Sequence, residues 1–218
     1  MPKIIYNKFG KNEISSLPVV QYNGKIIVIL TPGETEKAVN YLLTKSILGF
    51  DTETRPSFKK GELHNVALLQ VATEQECFLF RLNHTGLTPA IIRLLEDKTV
   101  TKVALSWHDD LMGLHKRSDF TTGIFIDIQQ HVHDIGIEDM SLRKIYANLF
   151  GEKISKRQQL SNWEADILND SQKRYAAIDA WACIKIYREI IRLKNTKDYK
   201  LIIKEENNEY QTSISETR

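Results

Sequence analysis

Cysteine is scarce in this sequence of 218 residues, which contains Cys77 and Cys183 alone. The two show no CxxC spacing and lie in apolar contexts, so we expect reduced thiols, a cytoplasmic location and no zinc site built from cysteine. Long hydrophobic runs are missing as well, which argues against a membrane-spanning segment. The N-terminus MPKIIYNKFGKNEISS also lacks the apolar core of a signal peptide.

An excess of charge of one sign is absent too, because 30 Lys and Arg residues face 28 Asp and Glu residues and the net charge is +2. Overall charge therefore does not indicate a nucleic-acid-binding protein, although a local basic face stays compatible with it. The sequence has no internal repeat and no GxxxxGK[ST] phosphate loop, which argues against an ATPase. Its 42% hydrophobic and 27% charged residues fit one globular domain with a substantial core.

The order of apolar segments predicts an α/β fold. The runs at 47–53, 65–72 and 76–82 are joined too closely for crossover helices, so we expect three antiparallel neighbours. Helices and strands then alternate, which predicts a mixed central β-sheet with parallel strands after the antiparallel ones and α-helices on its faces. The later strands are predicted at 101–105 and 124–128, and the helices at 88–96, from 108, at 141–150 and at 171–194.

Two polar segments flank a predicted domain at 18–195. Residues 1–17 are mixed in character and predict a flexible arm, and residues 196–218 predict a disordered tail. Near the start of the domain, Asn23-Gly24 between VVQY and KIIVI predicts a hairpin, because both central turn residues need positive φ. The stretch TPGE at 31–34 then predicts a capped helix start.

Two acids, Asp51 and Glu53, end the predicted strand LGFDTE. Because side chains alternate along a strand, both lie on one face and Thr52 lies on the other. Carboxylates this close repel and resist desolvation, and a divalent cation such as Mg²⁺ resolves both problems. The alternative is a solvent-exposed strand end with two unrelated surface acids.

A further acid lies on the predicted C-terminal helix. Asp179 belongs to a stripe that is otherwise apolar apart from Tyr175 and that must face the core. An unpaired carboxylate is unfavourable there, and Tyr175, one turn earlier, projects toward the same place. The alternatives are a Tyr–Asp pair at a solvated helix end and a buried Asp that caps a loop.

The stretch KVALSWHDDLMGL at 102–114 adds two acids, Asp109 and Asp110, in the first turn of a helix. Simple capping is the alternative, since the helix dipole favours acids there. Asp110 lies four residues before Leu114 on the apolar face, so we choose Asp110 over Asp109 as the inward-facing ligand. Four acids and a tyrosine on separate segments predict a site for two cations ~3.5–4 Å apart, which suits phosphoryl chemistry.

With DTE, HDDL and YAAID in this order, residues 46–192 resemble the DEDD superfamily of 3′–5′ exonucleases. The tyrosine of YxxxD is typical of the DEDDy subgroup, which holds ribonuclease D and the proofreading domains of family A DNA polymerases. The sequence is most similar to the Werner-syndrome-type exonuclease domain, and SNW before the last helix adds to this resemblance. The resemblance implies a ribonuclease H-like fold and hydrolysis of a 3′-terminal phosphodiester, which releases nucleoside 5′-monophosphates.

The resemblance also implies roles for the acids, with two Mg²⁺ or Mn²⁺ ions as cofactors. Asp51, Glu53 and Asp179 would bind the ion that activates water. Asp51 and Asp110 would hold the second ion near the leaving oxygen. Tyr175 would orient the attacking water, a role that suits a phenol because its pKa near ~10 makes it a poor base.

One departure from the family concerns the segment before the third acid, which usually carries small residues. Here Trp107 is bulky and Asp109 is a second acid. Both residues leave open which acid of this segment is the metal ligand, and Trp107 would narrow or reshape the substrate groove. Asp127, further along, is expected to cap the helix that follows it or to support the site from behind.

The loop at 151–163 is the expected nucleic-acid-binding segment. Lys153, Lys156 and Arg157 precede Trp163, and basic residues with an aromatic suit the phosphates and a base of a strand. The alternative is a solvated loop with Trp163 packed in the core. Lys59 and Lys60 are further candidates for phosphate contacts, and the family's apolar wedge between terminal bases falls to Phe58, Leu63 or Val66.

The leading hypothesis is a stand-alone 3′–5′ exonuclease that acts on DNA, with a helicase or another repair protein as a partner in trans. An RNA-trimming enzyme like ribonuclease D is the alternative, and residues 195–218 leave no room for the helical HRDC-type domain that such enzymes often carry. A silent nucleic-acid-binding scaffold and a ribonuclease H-like endonuclease are further alternatives. The sequence does not indicate an oligomeric state.

Overall fold

The computed structural model of the protein describes residues 2–204. A six-stranded sheet has the strand order β2-β5-β4-β3-β6-β7, and a separate two-stranded sheet pairs β1 with β8. The strands are β1 Lys3–Tyr6, β2 Lys25–Ile29, β3 Ile47–Thr54, β4 Val66–Ala72, β5 Glu76–Arg81, β6 Thr101–Ala104, β7 Phe125–Asp127 and β8 Tyr199–Ile202.

Helices cover both faces of the six-stranded sheet. They are α1 Lys11–Ser16, α2 Pro32–Leu42, α3 Leu82–Thr85, α4 Pro89–Glu96, α5 Trp107–His115, α6 Leu142–Phe150 and α7 Asp170–Thr196, with two 3₁₀ turns at Ile128–Gln130 and Val132–Ile135. The predicted start of α2 is confirmed, because the Thr31 hydroxyl accepts from the Glu34 amide and the Glu34 carboxylate accepts from the Thr31 amide. None of the helices between residues 2 and 204 is both long and apolar enough to cross a bilayer.

The strand directions confirm the predicted mixed sheet. β3, β4 and β5 are antiparallel neighbours, β6 runs parallel to β3, and β7 runs parallel to β6. The predicted hairpin at Asn23-Gly24 is wrong, because β2 adds in parallel to the free edge of β5. The segment before Asn23 packs through side chains instead, with Tyr22 edge-on against Trp181 at 5.7 Å between ring centres.

The helix α7 lies directly on the sheet at Gly49. A Cβ atom there would meet the carbonyl oxygen of Ala180 at 2.0 Å, so only glycine permits this approach. α7 therefore crosses β3 just before the two acids of that strand. On the opposite face of the sheet, α2 and α4 bury a second apolar cluster that includes Phe50 and Leu69.

Residues 3–14 and 199–202 pack on the domain, which corrects the predicted flexible arm and the described first part of the predicted disordered tail. β1 pairs in parallel with β8, and Ile5 is fully buried. Phe9 and Ile14 cover Ala147 of α6. The sequence predictions missed these contacts because pairing between segments so far apart leaves no local pattern. Residues 205–218 of the predicted tail lie outside the described residues.

Candidate active site

The carboxyl end of β3 projects beyond its neighbour β6. The parallel pairing of the two strands ends at Gly49, whereas the antiparallel pairing with β4 continues past Asp51 and Glu53. β6 ends at Ala104, and the chain then turns into α5. The first turn of α5 therefore faces the open edge of β3, which explains how segments far apart in sequence supply acids to one place.

Three of the predicted acids converge. One carboxylate oxygen from each of Asp51, Glu53 and Asp179 lies within 4.8 Å of the others. The alternation of side chains along β3 puts the first two on the face that α7 covers, and the close approach at Gly49 brings Asp179 to them. The shared face predicted for Asp51 and Glu53, and the inward position predicted for Asp179, are confirmed.

Asp110 stands beside these three and completes what we call the acidic site: Asp51, Glu53, Asp110 and Asp179. The Thr52 hydroxyl donates a hydrogen bond to the Asp110 carboxylate, which turns it toward β3. Asp109 in the same helical turn is exposed. The structure therefore supports the choice of Asp110 over its neighbour.

The pKa values of the acidic site are raised by burial and by mutual repulsion. Burial, with the charges of Asp179 and Asp110, raises the pKa of Glu53 to about 9. Burial and the same two neighbours hold the pKa of Asp51 well above its ordinary value. Burial also raises the pKa of Asp110 to about 6, although the Thr52 hydroxyl opposes the shift.

Tyr175 and Arg143 adjoin the buried Asp179. Burial raises the pKa of Asp179 to about 7, while a hydrogen bond from Tyr175 and the charge of Arg143 lower it. Burial and the charge of Asp179 raise the pKa of the Tyr175 phenol above its ordinary value. The sequence analysis did not identify Arg143 as a site residue, because an arginine on an amphipathic helix belongs to no recognisable motif. Its Nε donates to the Ile154 carbonyl at 2.8 Å.

Asp127 fixes the start of α5 and thereby Asp110. Its carboxylate accepts from the backbone amides of Ser106, Trp107 and Gln129, the first two at 3.1 Å and the last at 3.0 Å. Ser106 has a φ of 56°, which a non-glycine residue rarely adopts. Asp127 therefore both caps the following 3₁₀ turn and supports the site from behind, as the sequence predicts.

Trp107 does not reshape the substrate groove, which corrects the expectation from its size. It is buried and stacks on Phe125 at 4.4 Å between ring centres, and it meets Phe50 edge-on. The indole lies in the apolar cluster on the face of the sheet that α2 and α4 cover. The bulky residue is a core residue that anchors the first turn of α5.

The acidic site fits hard divalent cations. Within residues 2–204, none of its four carboxylates makes an ion pair with a Lys, Arg or His side chain within 4.0 Å. Gln70, the cross-strand partner of Asp51, is fully buried, and neither atom of its amide has a hydrogen-bond partner there. Partly or fully buried carboxylates that lack a cationic partner supply the oxygen ligands that Mg²⁺ and Mn²⁺ prefer.

The prediction that Trp163 stacks on a base is wrong. Its side chain is fully buried and packs 6.0 Å from the ring of Tyr175, so it supports the tyrosine from the core side. Lys156 and Arg157 are exposed, as a phosphate-binding role requires. Lys153 is half-buried, and its ammonium group donates to the Ser15 carbonyl.

The loop between β3 and β4 borders the acidic site. Phe58 and Leu63 are 79% and 89% exposed, whereas Val66 is buried in β4 and is excluded as a wedge between bases. Lys59 and Lys60 are exposed. Glu164 ties this loop to the segment after α6, because its carboxylate lies 3.1 Å from the imidazole of His64 and also pairs with Arg55.

Residues 26–193 match the family model of the 3′–5′ exonuclease domain. The chain is 27% identical over 203 residues to the mouse bifunctional 3′–5′ exonuclease/ATP-dependent helicase WRN, with 88% of this chain and 14% of that protein covered. It is 34% identical over 159 residues to exonuclease 3′–5′ domain-containing protein 2 of Drosophila melanogaster, with 70% and 27% covered. The chain thus spans a minor part of both proteins.

The crystal structure of Escherichia coli RNase D has the same fold. It superposes with a TM-score of 0.70 at 18% identity, covering 79% of this chain and 45% of that one. The ribonuclease H-like fold predicted from the sequence is confirmed. The match of the family model over most of the chain and the acids on β3, α5 and α7 lead to one conclusion: the chain belongs to the DEDDy-type 3′–5′ exonucleases.

Proposed function

We propose that the protein removes nucleotides from the 3′ end of DNA by hydrolysis that depends on two divalent metal ions. The observation that carries the proposal is the convergence of Asp51, Glu53 and Asp179 within 4.8 Å, next to Asp110 and Tyr175. The 3′–5′ exonuclease family itself uses divalent metal ions and nucleic acid. The number of ions and the choice of DNA are the parts proposed here.

The acids divide between two ion positions. Asp51, Glu53 and Asp179 would hold one ion, and Asp51 with Asp110 would hold the other. Held by these residues, Mg²⁺ or Mn²⁺ would lower the pKa of water and stabilise the charge that develops on the phosphate. The raised pKa values of the four carboxyl groups fall again when a cation faces them, so ion binding releases protons.

Tyr175 positions the attacking water. Its raised pKa keeps the phenol protonated at neutral pH, so it does not act as a general base. The ring packs beside Trp163, and the hydroxyl donates its proton to a hydrogen bond with Asp179. These two contacts fix the direction of the lone pairs on the phenol oxygen. A water held by this hydroxyl lies next to the acids that would bind the first ion.

DNA is favoured over RNA by the mouse relative, which unites its 3′–5′ exonuclease with an ATP-dependent helicase. A helicase or another repair protein is proposed to supply unwound ends in trans. RNA is the second candidate substrate, because E. coli RNase D, an exoribonuclease involved in structured RNA processing, shares the fold. Exposed Lys156 and Arg157 fit the phosphates of either strand, and exposed Phe58 or Leu63 fits between terminal bases.

Matched DNA and RNA oligonucleotides labelled at the 5′ end test the proposal. Incubation with Mg²⁺ or Mn²⁺ is expected to give a ladder that shortens from the 3′ end of DNA and that disappears with EDTA or in Asp179→Ala. A ladder on RNA alone would keep the chemistry and overturn the choice of DNA. Strand binding without any product on either substrate would show a silent scaffold.

A further inference from the structure

Two neighbouring cavities lie between Tyr175 and the N-terminal segment. The first, of about 730 Å³, lies between α1 and residues 153–157. The second, of about 220 Å³, reaches from residues 19–22 to Tyr175. Both are lined by Val19, Ile154 and Arg157, so they lie next to each other. We call the pair the arm groove, and its charged lining residues are Lys11, Arg143, Lys153, Lys156, Arg157 and Arg174.

The wall that the N-terminal segment contributes is fixed in place. The Val20 amide donates to the Lys153 carbonyl at 3.0 Å, and the Lys153 amide donates to the Pro18 carbonyl at 2.8 Å. Ile14 of α1 is buried beneath the groove. This wall precedes residue 26, where the match to the exonuclease domain begins.

The charged side chains that line the arm groove are all positive. Among the residues that the structure describes, no Asp or Glu lines either cavity. Within residues 2–204, Lys11, Lys156, Arg157 and Arg174 make no ion pair within 4.0 Å, so their charges are available to a ligand. Apolar Val19 and Ile154 lie between the cations. A groove of unpaired cations with apolar patches suits a flexible polyanion that carries bases or sugars.

The cavity on the other side of the acidic site is lined by charges of both signs, unlike the arm groove. The cavity beside Thr52 is lined by Asp109 and Asp110 as well as Lys116. A phosphate chain that leaves the acidic site is therefore attracted more strongly toward the arm groove, whose charged lining residues are all positive. Once the 3′-terminal nucleotide occupies an exonuclease active site, the strand extends from it only in the 5′ direction.

We infer that the arm groove binds the phosphates of the single-stranded nucleotides upstream of the scissile bond, with Lys11 of the N-terminal segment as one of its contacts. This inference rests on the proposed function, since the strand enters the groove from the acidic site. It assigns the N-terminal segment a role in holding long substrates, while a substrate of one nucleotide does not reach it.

Charge reversal in the full chain tests the inference. Lys11→Glu and Lys156→Glu change exposed side chains, and an acid at the start of α1 does not oppose the helix dipole. Lys37→Glu on α2, against the opposite face of the sheet, is the matched control. Binding of a 5′-fluorescent DNA strand is measured by anisotropy in EDTA over a series of salt concentrations.

Each groove variant is expected to bind the DNA strand more weakly than wild type. The plot of log K against log[salt] should become less steep by about 0.7, the value for one lost contact to a single strand. The Lys37→Glu variant should keep both values. Hydrolysis of the p-nitrophenyl ester of thymidine 5′-monophosphate with Mn²⁺ should be unchanged in Lys37→Glu, and in wild type it measures the acidic site alone.

The outcomes separate the two claims. Unchanged binding and slope in both groove variants, with wild type active on the ester and on DNA, would overturn the arm groove and leave the proposed function intact. Wild type that is inactive on the ester, DNA and RNA would overturn the proposed function and the inference with it. Displacement of DNA by polyglutamate at equal charge concentration would assign the groove to acidic protein segments and contradict the inference.

Discussion

The acidic site and the arm groove lie side by side but are built in opposite ways. The carboxylates of the acidic site come from β3, α5 and α7, and packed elements hold them close although they repel one another. Three of the six cations of the arm groove come from the irregular segment 153–157, and four of the six are exposed. Metal ions need ligands at fixed distances, so their site needs rigid elements, whereas a flexible phosphate chain needs charge along its path.

The largest expected effect comes from Asp51→Asn, which breaks the acidic site and spares the groove. Asp51 serves both proposed ion positions, so the rate of 3′–5′ cleavage should fall by at least about 10³-fold, above the loss for a single electrostatic contact. Binding of single-stranded DNA in EDTA should change little. The metal-free variant should also unfold at a higher urea concentration, because one repelling charge is gone. A variant that loses its fold would contradict the assignment.

A smaller loss separates Asp110 from its neighbour in the same helical turn. Asp110→Asn should lower the cleavage rate by about 10²-fold, since it removes one negative ligand from the proposed second ion. Asp109→Asn is the matched control and should stay within about twofold of wild type, as exposed substitutions usually do. Steady-state cleavage of labelled DNA measures both, and equal losses in the two variants would show that the choice of Asp110 is wrong.

Tyr175→Phe tests positioning without touching a metal ligand. Loss of the hydroxyl should lower kcat by up to about 10²-fold, the scale of a misplaced reactant, while KM for DNA stays near the wild-type value. Titration of Mn²⁺ by calorimetry should give a similar affinity. If the variant instead loses metal binding with kcat unchanged, the tyrosine does not orient water.

The smallest effect is on the pH dependence of stability. The pKa of Glu53 is about 9 and that of Asp179 about 7, above the values near ~4 of the unfolded chain. The folded metal-free protein thus binds more protons than the unfolded chain. The contribution of these groups to the free energy of unfolding is full below about pH 4 and is lost as the pH rises through 7 and 9.

Urea unfolding in EDTA over this pH range measures the loss. Glu53→Gln should show a shallower fall in the free energy of unfolding than wild type, chiefly toward pH 9. Mg²⁺ should restore stability most at high pH, where the acids are ionised. Identical pH profiles for the two proteins would contradict the raised pKa of Glu53.

The positions of the acids could be predicted from the sequence where local strand or helix geometry determines the direction of a side chain. Alternation along β3 paired Asp51 with Glu53, and helical periodicity turned Asp179 inward. The same periodicity distinguished Asp110 from Asp109. In each case a short segment determines where its own side chain points.

The sequence was insufficient where the contact joins distant segments. Nothing local tells that β1 pairs with β8, or that residues 18–20 bind the loop at Lys153 and leave the predicted hairpin unformed. Trp163 shows the same limit, because an indole in a basic loop has the same sequence context whether it faces a base or the core. The arm groove, built from such contacts, therefore became visible only in the folded chain.

Crystals grown with Mn²⁺ and a nucleoside 5′-monophosphate test the central claim most directly. The account predicts two anomalous peaks about 3.5–4 Å apart, one among Asp51, Glu53 and Asp179 and the other between Asp51 and Asp110. The phosphate of the nucleotide should contact both ions, with the Tyr175 hydroxyl nearby. Crystals that lack manganese at these carboxylates, from protein that cleaves DNA at the same Mn²⁺ concentration, would contradict the account.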